Sequence, residues 1–133
     1  MSKEACFMNI NKFTQKSLQA VQDCEKIAMD YGNQEIEQEH LLYALLTQDD
    51  GLIPKMIEKM GLDTGVVTNR VEQAIAGRTK VQGGKQYVGQ DLNNVLVHAE
   101  DEAKQMGDEY VSVEHLFLAM LRYPSRVMKN LFR

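Results

Sequence analysis

One pattern occurs twice in this chain and limits what it can fold into. Gly32-Asn33-Gln34-Glu35-Ile36-Glu37-Gln38-Glu39-His40-Leu41-Leu42-Tyr43-Ala44-Leu45-Leu46 returns 75 residues later as Gly107-Asp108-Glu109-Tyr110-Val111-Ser112-Val113-Glu114-His115-Leu116-Phe117-Leu118-Ala119-Met120-Leu121. At that shift Gln15, Glu25, Ala28, Gly32, Glu39, His40, Leu41, Ala44 and Leu46 recur identically. Val21 with Leu96, Ile36 with Val111 and Leu42 with Phe117 exchange one apolar residue for another. Positions under a shared packing restraint repeat while the rest drift, so the pattern is a tandem repeat of one helical unit. Each copy closes on six apolar residues without alternation, too few to span a membrane and best satisfied as the most buried helix of a small bundle.

The elements follow from local signals. Thr14 fits an N-cap for a helix to about Tyr31, with Leu18, Val21, Cys24, Ala28 and Tyr31 on one stripe and Gly32 as its stop. A short extended link holding Ile36 leads to a hub helix at roughly Gln38 to Gln48. Asp49-Asp50-Gly51 reads as a turn, Pro54 as a first helical residue and Gly61 as the end of a third helix. Asp63 or Thr64 can cap a fourth, whose apolar side is Val67, Val71, Ala74 and Ile75. Residues 77–89 are rich in glycine and cations, lack helical periodicity and read as a solvated joining loop.

The pattern then restarts, with Leu92, Val95, Leu96, Ala99, Ala103 and Met106 as a stripe and Gly107 as its stop. Ser112 caps the second hub, Glu114 lies in its first turn, and Tyr123-Pro124 ends it. A seventh helix starts near Ser125, bearing Val127, Met128, Leu131 and Phe132, without a counterpart of the fourth helix after it. The expected fold is therefore all-α, a pseudo-twofold tandem repeat of a four-helix unit with the last helix missing. It divides into an extension at 1–7, a first unit at 8–76, a linker at 77–89 and a second unit at 90–133, together one domain.

Composition narrows the functional classes. A chain of 133 residues buries roughly two thirds of its unfolded surface and needs no staple. Its formal charge of -4 gives no general attraction to nucleic acid or anionic lipid, and neither is expected as a partner. Cys6 and Cys24 form no CxxC pair, and Cys24 falls among apolar helix positions as a small buried hydrophobe. Met1 to Phe7 lacks the apolar stretch of a signal peptide, so the cytoplasm is the expected compartment, and Met8 also fits as an initiator.

A search for catalytic patterns finds no phosphate-cradling loop, no dinucleotide fingerprint, no H-E-x-x-H and no nucleophile elbow. His40, His98 and His115 are not spaced as a metal set and are expected to bond helix ends or inter-helix carbonyls. What remains is surface: the carboxylates before each hub, Glu35, Glu37 and Glu39 or Asp108, Glu109 and Glu114, beside apolar residues. A solvated acidic rim and a groove for a partner both fit that pattern.

Met8-Asn9-Ile10-Asn11-Lys12-Phe13-Thr14, then Glu39-His40-Leu41-Leu42, a mid-chain glycine-rich loop and Tyr110-Val111-Ser112-Val113-Glu114-His115-Leu116 closely resemble the amino-terminal repeat domain of the Clp/Hsp100 unfoldases, nearest the ClpB type. The resemblance covers nearly everything from Met8 onward. It implies a non-catalytic module on a hexameric ATP-driven machine, binding hydrophobic segments of unfolded or aggregated polypeptides and passing them to AAA+ modules. ATP and Mg belong to those modules, and no cofactor is implied here. By motif, the family's binding residues map to Thr14, Asp108 and Glu114, and its apolar groove to Ala20, Leu96, His98 and His115. An incomplete second repeat would expose Val127, Leu131 or Phe132, although the isolated domain is expected to be monomeric.

Two alternatives stay open. In a ClpC-type domain, which receives adaptor proteins or phosphoarginine-tagged substrates, Glu39 and Glu114 would hold the guanidinium. The other is a stand-alone helical adaptor or scaffold.

Overall fold

The computed structural model describes residues 10–81 and 83–132, so the extension at 1–7 lies outside it. Among these residues run α1 (Gln15–Asp30), α2 (Gln38–Leu46), α3 (Leu52–Lys59), α4 (Thr64–Ala76), α5 (Gln90–Gln105), α6 (Val113–Arg122) and α7 (Arg126–Leu131). Two short strands, β1 (Glu35–Ile36) and β2 (Tyr87–Val88), pair in parallel. The fold is the helical one expected.

Helix ends follow the sequence closely. Thr14 Oγ1 accepts the Ser17 N–H at 3.2 Å and starts α1. At its end Asn33 N–H donates to Ala28 O at 2.8 Å and Gly32 N–H to Met29 O at 3.0 Å, the double bond of a Schellman stop. The end of α5 repeats this, with Asp108 N–H to Ala103 O at 2.8 Å and Gly107 N–H to Lys104 O at 3.0 Å. Gly32 and Gly107 take φ of 72° and 73°, where a side chain would be strained. Pro54 is the third residue of α3 rather than the first, and is still tolerated because first-turn N–H groups lack helical partners anyway. The first hub stops at Leu46, two residues short of the expected Gln48, with Thr47 as its C-cap.

The strands show how the repeats join. Ile36 pairs with Val88, and Phe13 bridges Val111, also in parallel. A shift of 75 residues turns one pair into the other: each repeat's segment before its first helix lies against the other repeat's segment before its hub. Thr14 N–H donates to Val111 O at 2.9 Å, and Gly89 N–H to Ile36 O at 2.8 Å. The connection is crossed about a pseudo-twofold axis.

Residues 77–89 stay mostly exposed, as expected of a solvated joining loop, but the described part of the segment also carries β2 and is fastened to the first repeat. Val81 N–H donates to Gly32 O at 2.8 Å, Tyr87 N–H to Gln34 O at 3.0 Å, and Gln86 Nε2 to Asn33 O at 3.2 Å. Arg78 pairs with Glu35 and Glu39. The Val81, Tyr87 and Gly89 N–H groups are thereby taken up by the chain entering the first hub.

Leu41, Leu42 and Leu45 of α2 and Leu116, Phe117 and Met120 of α6 are fully buried and form the centre of the core. Helix α4 packs on α2, and α7 on α2 and α4. Exposure at the end of the chain is corrected accordingly: Met128 and Leu131 are buried, and the half-buried Phe132 sets its ring edge-on to Phe117 at 6.4 Å. Val127 is also half-buried. Leu121 is the residue left open, 36% exposed where its counterpart Leu46 is 7% exposed.

Candidate functional site

Both hub helices begin with the same device. Glu37 N–H donates to His40 Nδ1 at 2.9 Å, and Ser112 N–H to His115 Nδ1 at 2.8 Å. A nitrogen that accepts holds no proton, so each neutral imidazole carries its hydrogen on Nε2. From there it donates to Asn33 Oδ1 at 3.0 Å in the first repeat and Asp108 Oδ2 at 2.8 Å in the second. Histidine thus takes the place glutamate or glutamine holds in an ordinary capping box. Burial, and then the Arg78 charge, push the His40 pKa down to about 4.

In the second repeat this device borders an open face. Asp108, Glu109, Tyr110, Ser112, Glu114 and His115 line a cavity of about 290 Å³. A smaller one of about 140 Å³ shares Asp108 and Glu109 and reaches Lys12 and Val111. Thr14 is bonded to Val111, midway in sequence between Asp108 and Glu114, and Ser17 Oγ donates to the same carbonyl at 2.8 Å. Asp108 and Glu114 thus share one opening, whereas Thr14 lines neither cavity and is tied to this region through its backbone bond to Val111.

The implied apolar groove does not open at the other mapped residues. Ala20 and Leu96 lie on the inward stripes of α1 and α5, and His115 is enclosed by its capping role; all three are buried. Only His98 reaches the surface, well along α5, where Nδ1–H donates to Asn94 O at 2.7 Å and the ring stacks on Tyr123 at 4.0 Å. Motif alignment located these positions along the chain without giving the direction of their side chains.

Asp108, Glu114 and His115 bring potential ligand atoms within 4.8 Å of one another. The hydrogen-bond pattern speaks against a metal, because Nδ1 is engaged by Ser112 N–H and Nε2 carries the proton, leaving the imidazole no free lone pair.

The first repeat differs at the matching place. Arg78 Nη1 lies 2.5 Å from Glu39 Oε2 and Nη2 lies 2.9 Å from Glu35 Oε1, and Glu39 is only 1% exposed. Its counterpart Glu114 is half-buried and has no ion pair among the described residues. Sequence reasoning missed Arg78, whose partner Glu39 lies 39 residues back. It also missed Gln38, fully buried, whose Nε2 donates to Asp91 O and Tyr123 O and whose Oε1 accepts from Ser125 N–H, each at 2.9 Å. The 75-residue shift was the one available signal, since it places the enclosed Glu39 opposite the open Glu114.

The family model for the Clp repeat (R) N-terminal domain matches residues 12–133. The chain belongs to the Clp repeat N-terminal domain family. Among its curated relatives, the Clp repeats here are 41% identical to the chaperone protein ClpB of Nitratidesulfovibrio vulgaris over 132 residues, 95% of this chain. ClpB of Porphyromonas gingivalis is 41% identical over 114 residues, 86% of this chain. The chain spans 15% and 13% of those relatives' lengths. The Hsp104 N-terminal domain of Candida albicans superposes with a TM-score of 0.82 at 18% identity, covering 91% of this chain and 79% of that one. A ClpV N-domain in complex with a VipB peptide gives 0.75 at 23% identity, covering 92% and 78%. At such identities these structures speak for the Clp N-domain fold alone. No described helix of this Clp domain is long and apolar enough to cross a membrane.

Proposed function

We propose that this domain is the non-catalytic, substrate-receiving module of a ClpB-type ATP-dependent disaggregase in the cytoplasm. It engages hydrophobic segments of unfolded or aggregated polypeptides and hands them to AAA+ modules elsewhere in a longer, hexameric protein, where ATP and Mg are used. The observation that carries this reading is the 41% identity to a ClpB chaperone over nearly the whole chain. The opening lined by Asp108, Tyr110 and Glu114 supports it. Carboxylates there are positioned to accept N–H groups or cations of an extended chain, and the exposed Tyr110 adds an apolar contact. An extended client loses conformational entropy on docking and buries little area, so affinity is expected to be micromolar or weaker.

A chemical-shift titration of the domain with a permanently unfolded polypeptide tests the reading. Shifts are expected at Thr14, Asp108, Tyr110 and Glu114, and the D108A/E114A double variant should bind about tenfold more weakly, the loss of roughly one charged hydrogen bond. Absence of shifts at that face rejects the assignment.

A second reading, the ClpC type, is favoured by Arg78, an internal guanidinium seated between Glu35 and Glu39. With Glu39 engaged, Glu114 would be the hub carboxylate open to phosphoarginine or an adaptor. Shifts at Glu114 with free phosphoarginine alone would move the assignment there, and silence with both ligands would leave a helical adaptor or scaffold.

A further inference from the structure

The two hub entries correspond residue for residue at the 75-residue shift, yet only one is covered. In the first repeat residues 78–81 run across it as a strap. Val81 N–H donates to Gly32 O at 2.8 Å, and Asn33 Nδ2 donates to Thr79 O at 3.3 Å. The Lys80 stem lies over Gly32, 3.5 Å from where a Cβ would stand. Arg78 completes the contact by reaching Glu35 and Glu39 with its two terminal nitrogens. Beneath the strap Asn33 is 3% exposed and Glu39 is enclosed. The second repeat carries no such cover: a Cβ on Gly107 would meet no described atom within 4 Å, and Asp108 and Glu114 line an opening.

We propose that the strap is a ligand bound in cis: it plugs a peptide site on the first repeat, and release of Arg78 opens that site to an arginine-bearing segment of another chain. The strap is held as a peptide is held, by backbone bonds and one anchoring side chain, while Thr79, Lys80 and Val81 stay exposed. A cavity of about 400 Å³ remains beside it, bordered by Asn33, Glu35, Arg78 and Thr79. With Arg78 withdrawn, Glu35 and Glu39 lose their shared cation, and Glu39 is too enclosed for water to replace it. A guanidinium reaches both carboxylates at once, which the compact ammonium of lysine does not. Gly32 O then takes a backbone N–H three residues further on, as it takes that of Val81. Both ends of the strap are fastened, to α4 and to β2, so its local concentration is on the order of millimolar. A separate chain therefore competes poorly while Arg78 is seated. This site is distinct from the client face at Asp108 and Glu114 and does not depend on it.

The test uses the strap's own sequence, Gly-Arg-Thr-Lys-Val from residues 77–81 with blocked ends, titrated into the wild type and R78A with amide shifts as the readout. In R78A, shifts are expected at Gly32, Asn33 and Glu39. The wild type should bind at least about tenfold more weakly there, because only its strap-released fraction is competent. The same peptide with alanine in place of arginine should leave these amides unmoved. No shifts at the three residues in R78A, equal shifts with both peptides, or equal affinity in both proteins overturns the proposal. Shifts confined to Asp108 and Glu114 overturn it too, while leaving the client face standing. If R78A does not fold, R78K takes its place under the same criteria.

Discussion

His40 and His115 show how much a single ring can fix. Each turns its own helix start back on itself through Nδ1 and secures the preceding turn through Nε2. Truncating His40 removes both bonds and leaves the Glu37 N–H and Asn33 Oδ1 without partners in a dry site. H40A is therefore expected to destabilise by about 3 kcal/mol, whereas H98A, on a partly exposed ring, should stay within about 1 kcal/mol. Urea denaturation midpoints distinguish them. A structural role at a helix end was legible for the hub histidines, because they are not spaced as a metal set and each lies at the start of an apolar hub helix. Their second partners were not, since a bond to a residue seven positions earlier exists only after the glycine stop has folded the chain back. The buried Ala20 and Leu96 teach the complementary lesson: alignment to a motif places a residue along a helix, whereas burial depends on which face the whole bundle covers.

At the scale of elements, the helices and the exposure of the linker were legible, and the linker's tethering was not. Hydrophobic periodicity, caps and glycine stops are local signals, and they placed all seven helices to within about two residues, the usual scatter at helix ends. Residues 77–89 carry no periodicity, and glycines with cations look the same whether the cations meet water or a buried carboxylate. Arg78 decides between these states. R78A leaves Glu39 enclosed without its counter-ion, with an expected loss of about 2 kcal/mol, short of the full effect of breaking a deeply buried pair because Arg78 is itself partly exposed. The more telling readout is limited proteolysis. Cleavage within 77–88 should speed up in R78A relative to cuts elsewhere; unchanged cleavage would mean that the strand pair holds the segment alone.

For the whole molecule, two buried groups pull stability in opposite directions with pH. The His40 pKa lies near 4 in the fold against 6.5 when unfolded, so its contribution is lost as pH falls through that interval. The Glu37 pKa lies near 7 against 4.5, so its contribution is lost as pH rises through that one. Each amounts to about 3 kcal/mol at the extremes. Their slopes cancel where the intervals overlap, and melting temperature should stay nearly level between pH 4.5 and 6.5. E37Q removes one of the two opposing slopes, so its melting temperature should climb with pH across the same range; a level profile in that variant would show that His40 does not titrate as described.

The crossed pairing of Phe13 with Val111 and Ile36 with Val88 also determines what half of this protein can be. A single repeat expressed alone owns one strand that fits a slot it does not possess, and one slot that only a strand of the other kind fills. Within the intact chain those needs cancel, which makes the duplication one cooperative unit rather than two beads. Cut apart, each half is an unfinished surface whose natural complement is a second polypeptide, so fragments should reassemble by exchange before either folds in isolation.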